Sequence, residues 1–322
     1  MQKCTDCRIP LPYHVTSARR WNRNPMPKFR ILAIILCLTY VAGCVGHVTI
    51  TTPPPAAAVR FGHVIIVVEE NTNYTDFVGS PSMPYLNGLA NTYGLATNYF
   101  ADAHPSIPNY FMLTTGQNLT LIDALTPALF PVSDDNVVRE LVSAGKTWKS
   151  YAEDLPSVGY TGGDSGNYAV RHNPIAYLTD VQNSPAQKQK LVPFTQFSAD
   201  LATSNLPAYS FIVPNVCNDG HACSLTVADT WLRTNIDPLI QSPMFQRDGL
   251  LVIVFDEAGL TDFTGGGGHV AAILISPQSK RSYKSVAFYQ HQSVLRLTLE
   301  GLGVTILPGA AAGAPVMWEF FQ

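Results

Sequence analysis

The stretch HVIIVVE, residues 63–69, is a continuous, mostly β-branched run bounded by turn-forming residues. Such a run predicts a strand that is buried on both faces, as strands are in parallel sheets. Two comparable runs follow at 250–256 (LLVIVFD) and 271–277 (AAILISP). These three strands are expected to form the centre of the fold.

Weaker strand patterns and four helical patterns lie around these runs. The additional strands are predicted at 149–152 and 208–214. The helices, predicted from apolar periodicity and flanking residues, cover 81–93, 134–145, 229–241 and 290–302. Because strands alternate with helices, the sequence predicts an α/β protein, an α/β/α sandwich around a mainly parallel central sheet.

The composition favours an exported enzyme-sized domain. The chain has 322 residues, 46% of them hydrophobic and 13% charged, with a formal net charge of -3. It is long enough to bury a large core, and its charged fraction is about half the usual level. Because the charge is near neutral and forms no basic stripe, nucleic acid is not expected as a partner.

The N-terminal region has the pattern of a targeting segment. Residues 29–43 are almost wholly apolar, begin beside the basic residues Lys28 and Arg30, and end in small residues before Cys44. This pattern predicts a lipoprotein signal at 26–43 with lipidation of Cys44, and a plain secretory signal is the alternative. Residues 1–25 are interpreted as an extension that results from a wrongly assigned start codon, with Met26 as the better start. The Pro-rich residues 44–60 are interpreted as a tether.

Cys217 and Cys223 are six positions apart. In an oxidising compartment they would close a small disulfide loop, although a metal-ligand or free-thiol role is the alternative. The loop would hold His221 and Asp219, which lie inside it. An exported bacterial lipoprotein, periplasmic or at the cell surface and anchored to the membrane, is the predicted location.

Acidic residues follow the two strongest strands: Glu70 and Asn71 after the first, Asp256 and Glu257 after the second. Ligand sites of open α/β sheets lie beyond the carboxyl ends of the strands. Two acidic ends side by side are costly unless a cation neutralises them, and carboxylate and amide oxygens suit a hard divalent ion. These four residues are the predicted ligands of one or more divalent metal ions of unknown identity; the alternative is solvent-facing polarity. Glu69 is expected to point the other way.

Ser106 lies in the Pro-framed stretch HPSIPNYFMLTTG, residues 104–116, which is predicted to begin a helix. A hydroxyl there would face backbone N–H groups that can hold a phosphoryl group, and a metal bound to its oxygen would make it a nucleophile. The alternative is a structural role, in which Ser106 caps the N-terminus of the helix. Asn109 is interpreted as phosphate-binding in preference to a plain first-turn residue.

Three histidines are candidates for holding phosphate or protonating the leaving alkoxide: His104 beside Ser106, His221 in the cysteine loop and His269 after four glycines. For each, a structural role is an equal alternative. His172, in the sequence RHNP, is left open between substrate binding and structure.

The 104–116 stretch resembles the nucleophile segment of the phosphoesterase family, which holds acid phosphatases of bacteria and fungi and phospholipases C of the phosphatidylcholine type. It is more distantly similar to the Thr-x-Pro-Asn segment of nucleotide pyrophosphatases of the alkaline phosphatase superfamily. Further blocks resemble the family in the same order: VIIVVEENTNYTDF, VPNVCNDGHAC, VIVFDEAG, GGGGHVAAILISP and YQHQSVLRLTLEGLG. The resemblance covers about residues 63–303.

The resemblance implies an alkaline-phosphatase-like fold and a phosphoseryl intermediate on Ser106, with His269 and His291 lining a phosphate pocket. By the same match, Asp256 and Glu257 complete the metal site. A catalytic domain is therefore expected at 61–310, with a partly irregular insertion at about 117–206 and a C-terminal tail at 311–322.

Two departures from the family pattern bear on the activity. Thr72-Asn-Tyr74 stands where the family has Ser-Phe or Ser-Tyr, and the chain has no room for the additional C-terminal β-domains of the phospholipases. The predicted function is a metal-dependent phosphoric monoester hydrolase acting on a phosphorylated small molecule or a phospholipid head group. The alternatives are a phospholipase C-type phosphodiesterase and a non-catalytic lipoprotein that binds a phosphorylated ligand.

Overall fold

An eight-stranded sheet organises residues 59–322, the part of the chain that the computed structural model describes. Its strands are β1 His63–Glu69, β2 Gly94–Phe100, β3 Trp148–Ala152, β4 Leu191–Pro193, β5 Tyr209–Val213, β6 Gly249–Phe255, β7 His269–Ile275 and β8 Tyr283–Ser285. They are arranged in the order β4-β3-β5-β1-β6-β7-β2-β8.

Helices connect these strands. The α-helices are α1 Tyr74–Phe77, α2 Pro84–Thr92, α3 Ser106–Thr115, α4 Val137–Ser143, α5 Thr179–Gln182, α6 Pro185–Lys188, α7 Thr195–Ala202, α8 Leu225–Asn235, α9 Asp237–Gln241, α10 Pro243–Asp248 and α11 His291–Gly301. Short 3-10 helices cover Val170–His172, Pro174–Tyr177, Gly309–Gly313 and Trp318–Phe320.

The sheet is mainly parallel, as the uninterrupted apolar runs predicted. β1 is parallel to β5 and β6, and β3 is parallel to β4 and β5. β7 is antiparallel to both its neighbours, β6 and β2, so one long strand reverses direction within the sheet. The apolar residues of β1 and β6 are almost fully buried, which is what their β-branched composition requires.

Helices cover both faces of the sheet. α3 packs with α4 and α11, while α2 packs with α8, and α8 continues into α9 and α10. Two adjacent residues show that these groups lie on opposite faces, because successive side chains of a strand alternate between faces. Glu70 contacts Ser106 of α3. The preceding residue, Glu69, lies near enough to Asp229 of α8 for the charge of Asp229 to raise its pKa. The three-layer α/β/α architecture is therefore confirmed.

The predicted helices correspond to α2, α4, α8 with α9, and α11. The helix predicted at 229–241 is divided, because α8 ends at Asn235 and α9 begins at Asp237 with Pro238 in its first turn. The 117–206 segment contains β3, β4 and several short helices, among them α4 to α7. Three strands were missed: β2, whose sequence GLATNYF is interrupted by Gly, Thr and Asn, and the three-residue strands β4 and β8 at the two sheet edges.

The predicted extension at 1–25, the signal at 26–43, Cys44 and nearly all of the tether lie outside the described residues. Within residues 59–322, no helix is long and apolar enough to span a bilayer. Residues 311–322, predicted as a tail, pack against the domain: Phe320 and Phe321 are buried, and a β-bridge joins Ser279 to Phe321.

Candidate active site

The predicted acidic groups meet at the carboxyl edge of the sheet. In the β1–β6 register, Glu69 lies opposite Phe255, so Glu70 and Asp256 are the first residues beyond two adjacent strands. The Asp256 N–H donates to the Glu69 carbonyl at 2.9 Å, which extends the pairing to the site. Glu70 and Asp256 are fully buried, and Glu257 is 2% exposed.

Asn71 turns the chain as it leaves β1. Its backbone adopts φ 49°, the left-handed region in which Asn is better tolerated than most residues. In this conformation its N–H donates to Asp256 Oδ1 at 3.0 Å, and its side-chain amide donates to Glu70 Oε2 at 2.8 Å. Asn71 therefore links the two acidic strand ends through its backbone and its side chain.

Ser106 reaches both acidic strand ends. Its hydroxyl lies 2.9 Å from Glu257 Oε1 and 3.2 Å from Glu70 Oε2, and the residue is 2% exposed. It is the first residue of α3, and Pro105 occupies the N-cap position, so Ser106 does not cap the helix. The expected cluster of free backbone N–H groups is reduced, because Ile107 N–H donates to Asp123 and Pro108 has no N–H.

A buried imidazole separates two carboxylates beside Ser106. His172 Nε2 lies 2.9 Å from Glu70 Oε1, and His172 Nδ1 lies 3.1 Å from Asp219 Oδ2. The ring nitrogens are not aligned for directed hydrogen bonds, so these contacts are ion pairs. Burial acts to lower the pKa of His172, but Glu70 and Asp219 outweigh it and raise the pKa to about 9.

The electrostatics of the carboxylates follow from this arrangement. Burial alone would raise the pKa of Glu70, but the His172 imidazolium outweighs it and lowers the pKa to about 2. Burial raises the pKa of Glu257 to about 7, against the hydrogen bonds from His104 and Ser106. Burial and the charges of Glu70 and Glu257 raise the pKa of Asp256 well above its usual range.

His104 is held at the site between two acceptors. Its Nδ1 contacts Glu257 Oε2, and its Nε2 lies 2.8 Å from the carbonyl of Asp262. Asn109 is buried one turn into α3, and its amide bonds the backbone of residues 102–105. Its role as a phosphate ligand remains a prediction. Its hydrogen bonds show that it holds the turn before Ser106 in place.

His269 and His291 lie on the other side of the acidic cluster. His291 is fully buried, with Nε2 2.6 Å from the Asp256 carbonyl and Nδ1 2.9 Å from the Tyr99 hydroxyl. Burial lowers the pKa of His291 to about 4, so the ring is neutral. His269 stacks on Tyr74, with ring centroids 4.3 Å apart, and borders a cavity of about 260 Å³.

The cysteine loop supports the same region. Cys217 and Cys223 form a disulfide, as predicted. Within the loop, the Asp219 carbonyl accepts from Glu70 N–H at 2.8 Å, and Asp219 Oδ1 accepts from His221 N–H at 2.8 Å. The His221 ring is exposed, 6.1 Å from the His172 ring. The disulfide therefore fixes the acidic partner of His172.

The residues of this cluster fit a hard divalent ion in type. Glu70, Ser106, Asp256 and Glu257 converge with oxygen atoms. Asn71 meets them through its backbone and side-chain N–H groups. Asp256 Oδ2 is buried without a hydrogen-bond partner, as an oxygen reserved for a cation would be. Over residues 59–322, however, no group of three or more His, Cys, Asp or Glu side chains is already arranged around a metal position.

Two functional neighbours were not assigned a role from the sequence. Tyr110 donates its hydroxyl to Glu70 Oε1 at 2.9 Å, and Asp219 pairs with His172. Tyr110 is four residues after Ser106 on the same helix face, which is the signal that could have identified it. Asp219 was noted only because it lies inside the cysteine loop.

Glu69, which strand alternation predicted to point away from Glu70, is fully buried, and neither of its carboxylate oxygens has a hydrogen-bond partner. A cavity of about 1010 Å³ lies between α7 and the α8–α10 segment. It is lined by none of the predicted site residues. The chemistry is therefore concentrated at the ends of β1 and β6.

Comparison with known proteins points to one family. The model described as "Phosphoesterase family" matches residues 80–304. The chain is 35% identical over 234 residues to a phosphatidylinositol-3-phosphatase of Mycobacterium tuberculosis, covering 71% of this chain and 75% of that protein. It is 31% identical to a probable acid phosphatase of Kluyveromyces lactis, covering 73% of this chain and 56% of that one. The chain thus spans little more than half of the yeast relative.

Solved structures show the same fold at low sequence identity. A protein in the alkaline phosphatase superfamily from Vibrio parahaemolyticus has a TM-score of 0.55 at 13% identity, covering 81% of this chain and 71% of that one. The phosphonate monoester hydrolase of Agrobacterium radiobacter has a TM-score of 0.52 at 13% identity, covering 81% and 77%. The architecture is therefore that of the alkaline phosphatase superfamily.

Proposed function

Because the chain belongs to the Phosphoesterase family and is a hydrolase of phosphate esters, we propose that it is a metal-dependent phosphoric monoester hydrolase of the acid phosphatase type. The reaction proceeds through a phosphoseryl intermediate on Ser106. The observation that carries this proposal is the position of the Ser106 hydroxyl, within hydrogen-bond distance of Glu257 and Glu70 at the ends of two adjacent strands.

In the first step, Ser106 Oγ attacks phosphorus, the bond to the leaving alkoxide breaks and the Ser106 proton passes to a carboxylate. Glu257 Oε1 lies 2.9 Å from Ser106 Oγ and is placed to accept that proton. His104 contacts the other oxygen of Glu257 and fixes its orientation. The leaving alkoxide takes a proton from solvent and departs as an alcohol. Water then attacks the phosphorus of the phosphoseryl group and the bond between phosphorus and Ser106 Oγ breaks. Glu257 returns its proton to Ser106 Oγ, and the proton lost by the attacking water passes to solvent as phosphate is released.

Glu70, Asn71, Ser106, Asp256 and Glu257 would hold the divalent ion. When bound, the ion supplies positive charge that lowers the pKa of the Ser106 hydroxyl and neutralises charge on the phosphoryl group. Tyr110 and His172 both contact Glu70 and hold its carboxylate in place. The ion is an expected requirement because three buried carboxylates otherwise face one another.

The substrate class follows from the relatives. The Mycobacterium tuberculosis protein is a phosphatidylinositol-3-phosphatase and the yeast and fungal ones are acid phosphatases, so both lipid-bound and soluble phosphate monoesters are candidates. These names favour monoester over diester cleavage. The diester activity of a phospholipase C is therefore the second outcome to test.

The first test is release of p-nitrophenol from p-nitrophenyl phosphate, with bis(p-nitrophenyl) phosphate as the diester substrate. Ser106→Ala is expected to lower turnover of the monoester by about three orders of magnitude or more, because it removes the nucleophile. Ser210→Ala is the matched control, since Ser210 is a buried serine of β5 away from the site. Unchanged turnover in Ser106→Ala would contradict the mechanism.

Metal dependence is tested in the same assay. Dialysis of the wild-type protein against a chelator is expected to abolish turnover, and adding back single divalent ions is expected to restore it. Full activity in chelated protein that elemental analysis shows to be metal-free would remove the ion from the mechanism. A wild-type protein that binds phosphate but turns over neither ester would instead be a phosphate-binding lipoprotein.

The location proposed for the enzyme is the periplasm or cell surface, with a lipid on Cys44 as anchor. The apolar segment 29–43 and the disulfide in the described domain support export. Cell fractionation checks this proposal: Cys44→Ser is expected to move the protein from the membrane to the soluble fraction. Equal membrane content in both forms would contradict lipidation at Cys44.

A further inference from the structure

Five exposed apolar side chains lie on loops that contact the residues around the site. They define what we term the apolar rim: Leu121 (61% exposed), Ile122 (57%), Leu260 (68%), Phe263 (66%) and Phe288 (48%). They come from three separate loops that lie far apart in the sequence. Isolated exposed apolar residues need no explanation, but a concentration beside one site does.

Two of these loops are fixed to the turn that carries Ser106. Two residues after Leu121, Asp123 accepts a hydrogen bond from Ile107 N–H at 3.0 Å. Two residues after Leu260, the Asp262 carbonyl lies 2.8 Å from His104 Nε2. Leu121 and Leu260 are therefore each two residues away from a contact with the 104–107 turn. Phe263 packs edge-on against His104, with ring centroids 4.9 Å apart.

The third loop closes the rim at the neighbouring strand. Phe288 stacks on Phe100, with ring centroids 5.4 Å apart, and Phe100 ends β2 at the same sheet edge as Glu70. Phe100 stacks in turn on His269 at 4.9 Å. The rim is thus continuous with the side chains around the acidic cluster, whereas Ser106 itself is recessed and almost fully buried.

We propose that the apolar rim inserts into the surface of a lipid layer, so that the enzyme takes phosphate monoesters displayed on lipid head groups. This inference rests on the phosphatase function proposed above. A lipid surface is the occupant because the rim's loops contact the turn that carries Ser106 and the strand end beside the acidic cluster. In addition, leucine and phenylalanine on separate loops can enter a fluid interface without a matching rigid partner. Exposed apolar side chains there gain free energy by leaving water.

The test compares the rim with an exposed apolar residue elsewhere. The double variant Leu121→Ser/Leu260→Ser changes two rim residues that have no assigned part in catalysis. Ile306→Ser is the matched control, since Ile306 is 58% exposed and lies in the segment just after α11. α11 ends near the opposite edge of the sheet, where the Gly301 carbonyl accepts from Phe61 N–H ahead of β1.

Two readouts are measured on each protein, all carrying Cys44→Ser so that a lipid on Cys44 does not bring the protein to the vesicles. Phosphate release is measured from phosphatidylcholine vesicles that contain phosphatidic acid, and from soluble p-nitrophenyl phosphate; vesicle binding is measured by co-sedimentation. The double variant is expected to lose about tenfold or more of its vesicle binding and vesicle turnover, given the apolar area removed. Its turnover of the soluble ester is expected to stay within about twofold of wild type, and the Ile306→Ser control is expected to match wild type in both.

Equal vesicle binding of the double variant and wild type would overturn the proposal, as would an equal loss in Ile306→Ser. The proposal would also be overturned if the wild-type protein did not bind vesicles and sedimentation velocity showed that it forms a dimer through the rim. Each of these outcomes leaves soluble-ester turnover intact. Failure of the phosphatase function itself would appear separately, as absent turnover of the soluble ester by wild type.

Discussion

Asn71 connects the ends of β1 and β6 through both its backbone and its side chain. Its left-handed backbone directs its N–H to Asp256, and its side chain holds Glu70. Glycine adopts this backbone conformation without cost, while a residue with a Cβ and no polar group does not. The backbone role and the side-chain role of Asn71 can therefore be separated by two substitutions.

Asn71→Gly and Asn71→Ala both remove the amide and are expected to lower phosphate release strongly. The free energy of unfolding of Asn71→Ala is expected to be about 0.5–1 kcal/mol lower than that of Asn71→Gly. Alanine is strained at positive φ, and this strain is expected to exceed the entropy cost of ordering glycine. Urea denaturation measures this difference. If the alanine variant is the more stable of the two, the left-handed conformation is not required.

At this scale the sequence identified most of the acidic cluster but not its geometry. Glu70 and Asp256 were predictable because they follow continuous apolar strands, and the 104–116 stretch indicated Ser106. The pairing of His172 with Glu70 was not predictable, since 102 positions separate them and no local pattern encodes that contact. Which histidine meets which carboxylate is decided by tertiary packing.

At the scale of elements, Asp200 ties α7 to β3. It accepts hydrogen bonds from Lys149, from the Tyr151 hydroxyl at 2.7 Å and from Gln196 at 3.0 Å, and it is 6% exposed. Burial alone would raise the pKa of Asp200, but these donors outweigh it and lower the pKa below its usual value. The carboxylate thus stabilises the fold in its charged form.

Because the folded-state pKa of Asp200 is lowered, its contribution is present above the unfolded pKa, about 3.9, and is lost as pH falls through the folded value. Asp200→Asn is expected to lower the free energy of unfolding by about 2–3 kcal/mol at pH 7 and by less at pH 3. Chemical denaturation at the two pH values measures this change. The exposed Asp134→Asn serves as control, and a pH-independent loss in Asp200→Asn would contradict the role assigned to its charge.

The sequence patterns predict the long central strands better than the short edge strands. β1, β6 and β7 were evident because both faces are buried and their interior positions are all apolar. β4 and β8 have three residues each and lie at the sheet edges, where burial demands less of the sequence. β7 reads like a parallel strand, yet it runs antiparallel, because a fully buried strand has the same composition in either direction.

At the scale of the whole molecule, the C-terminal segment completes the domain. Phe320 is fully buried, and its ring packs 5.4 Å from Tyr283 and 6.0 Å from Tyr289. Its carbonyl accepts from Lys280 N–H at 2.8 Å. Nearby, Glu319 accepts hydrogen bonds from Tyr283, Tyr289 and Ser285. The last residues thus seal the β2–β8 end of the sheet.

Phe320→Ala is expected to lower the free energy of unfolding by about 3–5 kcal/mol, because it leaves a cavity under the sheet edge. Val316→Ala, at a position 44% exposed, is the control and is expected to cost far less. Thermal and urea unfolding measure both. A loss below about 1 kcal/mol in Phe320→Ala would mean that residues 311–322 behave as the tail that the sequence predicts.

The central position of β1 also determines when the protein can fold. β1 emerges first during synthesis, but its partners β5 and β6 pair with it through Val64↔Tyr209 and His63↔Gly249. At about 5–20 residues per second, roughly 7–30 s pass before the first of these partners is made. For that time the β-branched run at residues 64–68 of β1 has no native neighbour in the sheet. A nascent chain that ends before Glu257 therefore cannot assemble the acidic cluster, because Asp256 and Glu257 follow β6.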